Sequence, residues 1–182
     1  MHGDQTHGIN DLRPFYLSSK KQINVYADQI TSKYLKKSFS YIFNSYSKEY
    51  PATLKLNKLT KNFFTRNNHK KINIRSIIVD HGNVKSNCFI IDKKIAYISD
   101  VSKIYKKDYK YFHKLRYIII DCLWYNHHPS HFNLEKSLLM IKKFKPQKAI
   151  LTNLSPVLDY CELKKILPKN VVPAYDGLLL KL

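Results

Sequence analysis

The stretch that decides the fold is IIVDHGNVKSNCFIIDKKIAYISDVS, residues 77–102. It contains three short runs rich in β-branched and aromatic residues, each of which ends or turns at a polar residue. His81 follows the first run and Asp100 follows the third. Strands that end in a histidine and an aspartate can present both side chains at one edge of a sheet, where a rigid scaffold fixes them. We therefore expect a site that could bind a metal at this edge.

The rest of the chain alternates predicted strands with predicted helices, which indicates the α/β class. Strands are predicted at residues 23–26, 72–79, 89–91, 95–98, 117–122, 149–152 and from 171 to the end. Helices are predicted at residues 28–43, 104–115, 133–144 and 160–167. Asp28 and Asn133 are the predicted N-caps of two of these helices. Residues 10–14 are predicted as a loop, and residues 44–70 show no clear period.

The charge of the chain leaves two interpretations open. The 182 residues carry a formal charge of +19, which is typical of proteins that bind nucleic acid or an anionic surface. However, the lysines far outnumber the arginines and are dispersed along the sequence. This pattern also arises when an AT-rich genome places lysine at tolerant surface positions. Under either interpretation the charge favours a substrate that bears phosphate.

The cysteine content and the hydropathy predict a cytoplasmic location. Cys88, Cys122 and Cys161 are widely spaced and odd in number, which argues against a disulfide framework or a zinc ribbon. The N-terminus has no apolar core of the kind found in signal peptides. No apolar run approaches the length of a membrane span, so no membrane partner is expected.

Several polar side chains follow the predicted strands, and others lie near the N-terminus. His2, Asp4 and His7 fall within the first seven positions of the chain. The residues after strands that we group with His81 and Asp100 are Asp80, Asp121, His131 and Asn153. Polar residues gathered in this way predict one site that is rimmed by loops from several strands.

The motifs together resemble metallo-β-lactamase-fold hydrolases, in the branch of the phosphoribosyl cyclic phosphate phosphodiesterases and the ribonuclease Z-like enzymes. The resemblance covers almost the whole chain. The motifs that carry it are HGDQTHGINDLRP from His2, VDHG around His81, SDVS around Asp100, HPSHF from His128, LTNL around Asn153 and PAYDG from Pro173. It implies the αβ/βα sandwich of that fold in a single domain, residues 1–182. Because the family has strands before the histidine motif, we expect this domain to be truncated at its N-terminus.

The resemblance also implies the metal ligands. By position, His2, His81 and Asp100 match ligands of one metal, and Asp4 and Asp100 match ligands of a second. Gln5 and Asn153 stand where the family has histidine ligands, and amide oxygens suit zinc poorly. We therefore expect a degenerate site that holds at most one tightly bound ion, zinc or manganese.

The chemistry implied by the resemblance is metal-assisted hydrolysis of a phosphodiester. Asp4 is expected to orient the attacking water, and His131 is expected to donate a proton or contact the phosphate. The substrate is expected to be a small phosphate-containing molecule or an RNA end, and a homodimer is kept as one option. Two alternatives stay open, namely a catalytically impaired remnant of the fold and a basic nucleic-acid-binding module.

Overall fold

The computed structural model describes residues 3–67 and 70–181 of the chain. The chain forms two compact units, Met1–Thr60 and Lys61–Leu182. Among the described residues, no helix is both long enough and apolar enough to cross a membrane. Each unit has a hydrophobic cluster of its own.

The first unit packs short helices against a two-stranded parallel sheet. The helices are α1 (Gly3–Thr6), a 3-10 helix (His7–Leu12), α2 (Arg13–Ser19), α3 (Gln29–Ser38) and α4 (Ser40–Phe43), and the strands are β1 (Ile23–Ala27) and β2 (Leu54–Lys58). Residues 10–14 are therefore helical, and the predicted loop is wrong there. Pro14 is tolerated because it lies in the first turn of α2, where its missing N–H costs no hydrogen bond.

Asp28 caps α3 as predicted, and its carboxylate accepts hydrogen bonds from the backbone N–H groups of Ile30 and Thr31. The predicted helix to residue 43 is interrupted, because Phe39 leaves the helical region with φ −129° and ψ 38°. Phe39 packs against the buried cluster of this unit. Tertiary packing of this aromatic ring therefore takes precedence over continuous helical geometry.

The second unit is built on a seven-stranded mixed sheet in the order β3-β4-β5-β6-β7-β8-β9. The strands are β3 (Asn62–Asn67), β4 (Lys70–His81), β5 (Val84–Ile91), β6 (Ile95–Ile98), β7 (Tyr117–Asp121), β8 (Lys148–Thr152) and β9 (Val171–Pro173). The first four strands pair antiparallel, and β6 to β9 pair parallel. Since β4 and β6 both run antiparallel to β5, β4 points in the same direction as β6, β7, β8 and β9.

Helices α5 (Leu134–Phe144) and α6 (Tyr160–Ile166) and a 3-10 helix (Lys106–Tyr111) complete this unit. Asn133 caps α5 as predicted. The α-helix predicted at residues 104–115 is wrong, because only the 3-10 helix forms there. Ile104, Phe112 and Leu115 are buried. Their spacing resembles that of the buried face of an α-helix, although no α-helix connects them.

Two further predictions on strands need correction. Residues 44–70 contain β2 and β3, although no period was visible in this part of the sequence. The closing strand ends at Pro173, and residues 178–181 form no strand. The hairpin between residues 89–91 and 95–98 is confirmed, with Asp92 and Lys93 at positive φ in its turn.

Candidate metal centre

The carboxyl ends of four strands meet at one edge of the large sheet, because β4, β6, β7 and β8 point the same way. His81 is the last residue of β4, and Asp121 is the last residue of β7. Asp100 lies two residues after β6, and Asn153 directly follows β8. The strand directions thus bring these side chains to a common edge.

His81 is held in one tautomer. Its ring is almost fully buried, and Nδ1 lies 2.7 Å from the carbonyl oxygen of Ser130. A carbonyl oxygen can only accept, so Nδ1 carries the proton and Nε2 carries the lone pair. A backbone carbonyl that orients a histidine in this way is typical of metal-binding imidazoles.

Gly82 allows the turn after His81 to approach Ser130. Its φ is +61°, and a Cβ atom here would lie 2.5 Å from Ser130 Oγ. The Gly82 N–H donates to Ser102 Oγ at 3.0 Å, which ties this turn to the loop that follows Asp100. Glycine is therefore required both by the backbone conformation and by the close approach.

His131 is oriented by a buried carboxyl group. Its Nδ1 lies 2.8 Å from Asp121 Oδ2 and 4.0 Å from Asp100 Oδ1. The backbone N–H groups of Val101 and Phe132 also donate to Asp121 Oδ2, at 3.2 and 3.3 Å. Because two backbone N–H groups already donate to this oxygen, it acts as an acceptor, so Nδ1 of His131 carries the donated proton and the lone pair of His131 lies on Nε2.

Asp121 is fully buried, and burial raises its pKa to about 8. The negative charge of Asp100 acts in the same direction, while the hydrogen bonds from the Val101 and Phe132 amides oppose it. Its second oxygen, Oδ1, has no hydrogen-bond partner within the described part of the chain.

Asn153 supports Asp100. Its Nδ2 donates to the carbonyl oxygen of Ser99 at 2.7 Å and lies 3.5 Å from Asp100 Oδ1. The Ser99 carbonyl accepts only, so the amide nitrogen of Asn153 faces this site. Asn153 has φ 59°, a left-handed conformation that asparagine tolerates better than most residues.

His81, Asp100 and His131 together form a group that could hold a metal ion. One ligand atom from each lies within 4.8 Å of the ligand atoms of the other two. The rings of His81 and His131 meet edge to face, with centroids 4.6 Å apart. Two imidazole nitrogens and one carboxylate oxygen suit zinc, and three protein ligands leave a coordination position for water or substrate. The residues present thus fit a single catalytic metal.

The N-terminal residues of the predicted site belong to the first unit. Asp4 and Gln5 lie in α1, where Gln5 Nε2 donates to Asp4 Oδ2 at 3.3 Å. His2 lies outside the described residues. His7 contacts the Tyr34 hydroxyl at 3.2 Å and packs edge to face against Phe39, which is a packing role within this unit.

His128 lies beside the candidate metal centre. Its Nδ1 accepts from the Ser130 N–H at 3.2 Å, and its ring centroid is 5.3 Å from that of His131. Burial lowers its pKa, and the neighbouring imidazoles of His131, His127 and His81 lower it as well. His128 is therefore held neutral and supports the HPSH loop.

Sequence reasoning grouped His131 with His81 and Asp100 in one site and gave it a catalytic role, but it did not pair His131 with Asp121 or count it among the metal ligands. It also missed the Ser130 carbonyl, since no sequence signal marks a backbone acceptor. A carboxylate at the end of a nearly all-apolar strand was the available signal for Asp121, because a buried acid needs partners.

Comparisons with known proteins identify the family. The sequence model of the Beta-lactamase superfamily domain matches residues 1–152, so the chain belongs to that family. No curated protein matches the sequence.

Solved structures show the same fold. A diphosphatase from the PhnP family aligns with a TM-score of 0.85 and 24% identity, covering 100% of this chain and 68% of that chain. The short form of human tRNase Z aligns with a TM-score of 0.69 and 14% identity, covering 100% of this chain and 76% of that chain. Zn²⁺-bound PqqB from Methylobacterium extorquens aligns with a TM-score of 0.73 and 13% identity, covering 97% and 69%. The metallo-β-lactamase-fold resemblance and the α/β class are confirmed.

Proposed function

We propose that this protein is a metal-dependent hydrolase that cleaves phosphodiester bonds. The observation that carries the proposal is the convergence of His81, Asp100 and His131, whose ligand atoms lie within 4.8 Å of one another. Membership of the Beta-lactamase superfamily supports it, as do structural relatives that are named as a diphosphatase and a tRNase. The proposed substrate is a phosphate-bearing molecule, because the formal charge of +19 favours binding of anions.

His81 and Asp100 would hold the ion, with His131 as a third ligand. When bound, zinc or manganese would lower the pKa of a coordinated water and polarise the phosphoryl oxygens. The two histidines are oriented by the chain itself, because the Ser130 carbonyl fixes the tautomer of His81 and Asp121 fixes that of His131. Asn153 steadies Asp100 through its amide nitrogen.

A second role for His131 is the one that the sequence predicts, a proton donor to the leaving oxygen. Nε2 of His131 can take up a proton. The ionised carboxylate of the adjacent Asp121 would then stabilise the His131 imidazolium that results. Asp4 is kept as the group that orients the water, and His2 as a further ligand. Both roles stay predictions.

Metal analysis and hydrolysis of bis-p-nitrophenyl phosphate test the proposal together. We expect about one zinc per chain, and we expect His81→Ala and Asp100→Ala to weaken metal affinity at least about 10-fold and to abolish turnover. His127→Ala is the matched control, since His127 is an exposed imidazole of the same loop. The His127→Ala variant should change neither the metal affinity nor the turnover.

His131→Ala separates the two roles of that residue. Loss of the metal would make His131 a ligand, whereas retention of the metal with turnover reduced about 100-fold would make it the proton donor. Hydrolysis that is unaffected by His81→Ala would contradict the proposed function.

A catalytically impaired protein is the second candidate, and Asn153 is the observation that favours it. The amide nitrogen, not the oxygen, faces Asp100, so this position offers no ligand atom to a metal there. Stoichiometric metal without hydrolysis of any phosphodiester would support this candidate over the first.

A further inference from the structure

A cleft in the first unit is lined by three tyrosines, an arginine and an asparagine. The side chains that decide its chemistry are Asn10, Arg13, Tyr41, Tyr46 and Tyr50, and we call these five residues the tyrosine cleft. Its volume is about 270 Å³. Ligand pockets typically measure about 300–1,000 Å³, so this cleft suits a small molecule with a single ring.

Hydrogen bonds hold the walls of the tyrosine cleft in place. The Tyr41 hydroxyl donates to Asn10 Oδ1 at 2.6 Å, which joins α4 to the 3-10 helix of the first unit. Tyr46 N–H donates to the Tyr50 carbonyl at 3.1 Å, and Tyr50 N–H donates to Ser47 Oγ at 3.2 Å. These bonds close a short loop that presents both tyrosines. The cleft is therefore formed before any ligand binds, as is usual for small-molecule sites.

The three tyrosine rings are open to a ligand. Tyr41, Tyr46 and Tyr50 are 48, 65 and 64% exposed, although all three fall within ten positions of the sequence. The described ring contacts of the first unit involve other residues. Exposed aromatic groups gathered in one place are typical of binding surfaces, and their faces favour stacking with a flat partner.

The polar groups of the tyrosine cleft favour an anion. Arg13 is exposed in the first turn of α2, and no described residue forms an ion pair with it. Because Asn10 Oδ1 accepts from Tyr41, the Nδ2 group of Asn10 can still donate. Among the described residues no carboxylate lines the cleft, since Glu49 lies in the loop but outside the lining. The guanidinium of an arginine matches the paired oxygens of a carboxylate or phosphate.

We propose that the tyrosine cleft binds a small aromatic acid, meaning one planar ring that bears a single carboxylate or phosphate group. The acidic group contacts Arg13 and the amide of Asn10, and the ring stacks on a tyrosine. The arginine selects the charge, the exposed rings select a flat ligand, and the volume limits its size. All five residues belong to Met1–Thr60, so the inference does not depend on the proposed hydrolysis.

Titration of benzoate into the isotope-labelled full-length protein, followed by nuclear magnetic resonance, tests the proposal. We expect the backbone amides of Tyr46 and Tyr50 and the Nε–H of Arg13 to shift, with a Kd of about 1 mM for so small a ligand. Cyclohexanecarboxylate keeps the charge without the flat ring and should bind about 5-fold more weakly. Benzamide keeps the ring without the charge and should bind about 10-fold more weakly. Equal binding of all three would overturn the proposal.

Phenyl phosphate distinguishes the two kinds of acid. Tighter binding of phenyl phosphate than of benzoate would identify the ligand as a phosphate ester, and the reverse order would identify a carboxylic acid. Shifts of the same resonances by either compound support the tyrosine cleft. If neither compound shifts them, the proposal fails.

Two variants test the roles of the charge and the ring, and both change exposed side chains, so the fold should be retained. Arg13→Gln should weaken benzoate binding about 10-fold and leave benzamide binding unchanged, whereas Tyr50→Leu should weaken both. The matched controls are Arg66→Gln and Tyr175→Leu, which change an exposed arginine and an exposed tyrosine of the second unit. They should bind benzoate as the wild type does. Wild-type affinity in both Arg13→Gln and Tyr50→Leu would contradict the proposal.

His81→Ala separates the tyrosine cleft from the candidate metal centre, because a carboxylate can also bind to a metal ion. Benzoate should shift the amides of Tyr46 and Tyr50 in this variant as it does in the wild type. That result would support the cleft even if the protein hydrolysed no phosphodiester. Loss of these shifts in His81→Ala would overturn the proposal, since the anion would then bind at the metal.

Discussion

The two units of the chain treat their chemistry-bearing side chains differently. In Lys61–Leu182, His81 and Asp121 are buried at strand ends, and each is fixed by hydrogen bonds to a partner distant in sequence. In Met1–Thr60, Asp4 and Gln5 are exposed on a four-residue helix and contact each other. A large sheet can therefore pre-orient ligands, whereas a short exposed helix holds them only locally.

The cores of the two units differ in the same way. The second unit buries three phenylalanines almost completely, Phe112, Phe132 and Phe144, and the rings of Phe112 and Phe144 stack 5.1 Å apart. The first unit buries a smaller cluster around Leu35 and Leu54. We therefore expect the second unit to be the more stable of the two.

Core truncations should have the largest effect and should test whether the units are independent. Phe144→Ala should cost about 3–5 kcal/mol, and Leu35→Ala about 2–4 kcal/mol, because each leaves a cavity in a packed cluster. Thermal unfolding should show each variant lowering a different transition. A single transition lowered by both variants would mean that the chain unfolds as one domain and that the two units are not independent.

Gly82→Ala should have the next largest effect, about 2–3 kcal/mol. Its added Cβ meets both a left-handed backbone and the Ser130 side chain at 2.5 Å. Gly177→Ala is the matched control, since Gly177 also has positive φ but has no atom within 4 Å of an added Cβ. It should cost about 1 kcal/mol in urea unfolding. Equal costs would show that Ser130 moves aside freely and does not constrain His81.

Asp28→Ala should destabilise the first unit by about 1 kcal/mol through loss of the α3 cap. Burial opposes ionisation of Asp28, but the hydrogen bonds from Thr31 and Ile30 outweigh it and lower its pKa. The contribution should therefore be present above the ordinary aspartate pKa and be lost as pH falls through the lowered value. Unfolding of wild type and variant at neutral and acid pH checks this. A stability difference that grows on acidification would contradict it.

Thiol labelling should have the smallest effect on the fold and reports directly on packing. Burial raises the pKa of Cys88 and of Cys122 to about 12, while Cys161 is exposed. Since the thiolate is the reactive form, a disulfide reagent should modify Cys161 alone in the native protein and all three cysteines in denaturant. Rapid labelling of Cys88 would show that β5 opens readily.

The sequence by itself determined the alternation of strands and helices, the caps at Asp28 and Asn133, and the placement of His81 and Asp100 after strands. These features depend on local periodicity, capping and turn chemistry, which nearby residues encode. The sequence also carries the motifs that resemble those of the superfamily.

Only the tertiary structure decided which of these residues meet. The sequence grouped His131 and Asp121 with His81 and Asp100, but only the structure paired His131 with Asp121 and brought His131 within reach of a shared metal. Loop pairing likewise gathered Lys85, Lys103 and Lys107 around Tyr105. The sequence showed these lysines as dispersed, because their contacts span up to 22 positions and depend on strand register. The interruption of the helix at Phe39 was likewise a result of packing. Such long-range contacts are set by how strands and loops assemble, which no local pattern records.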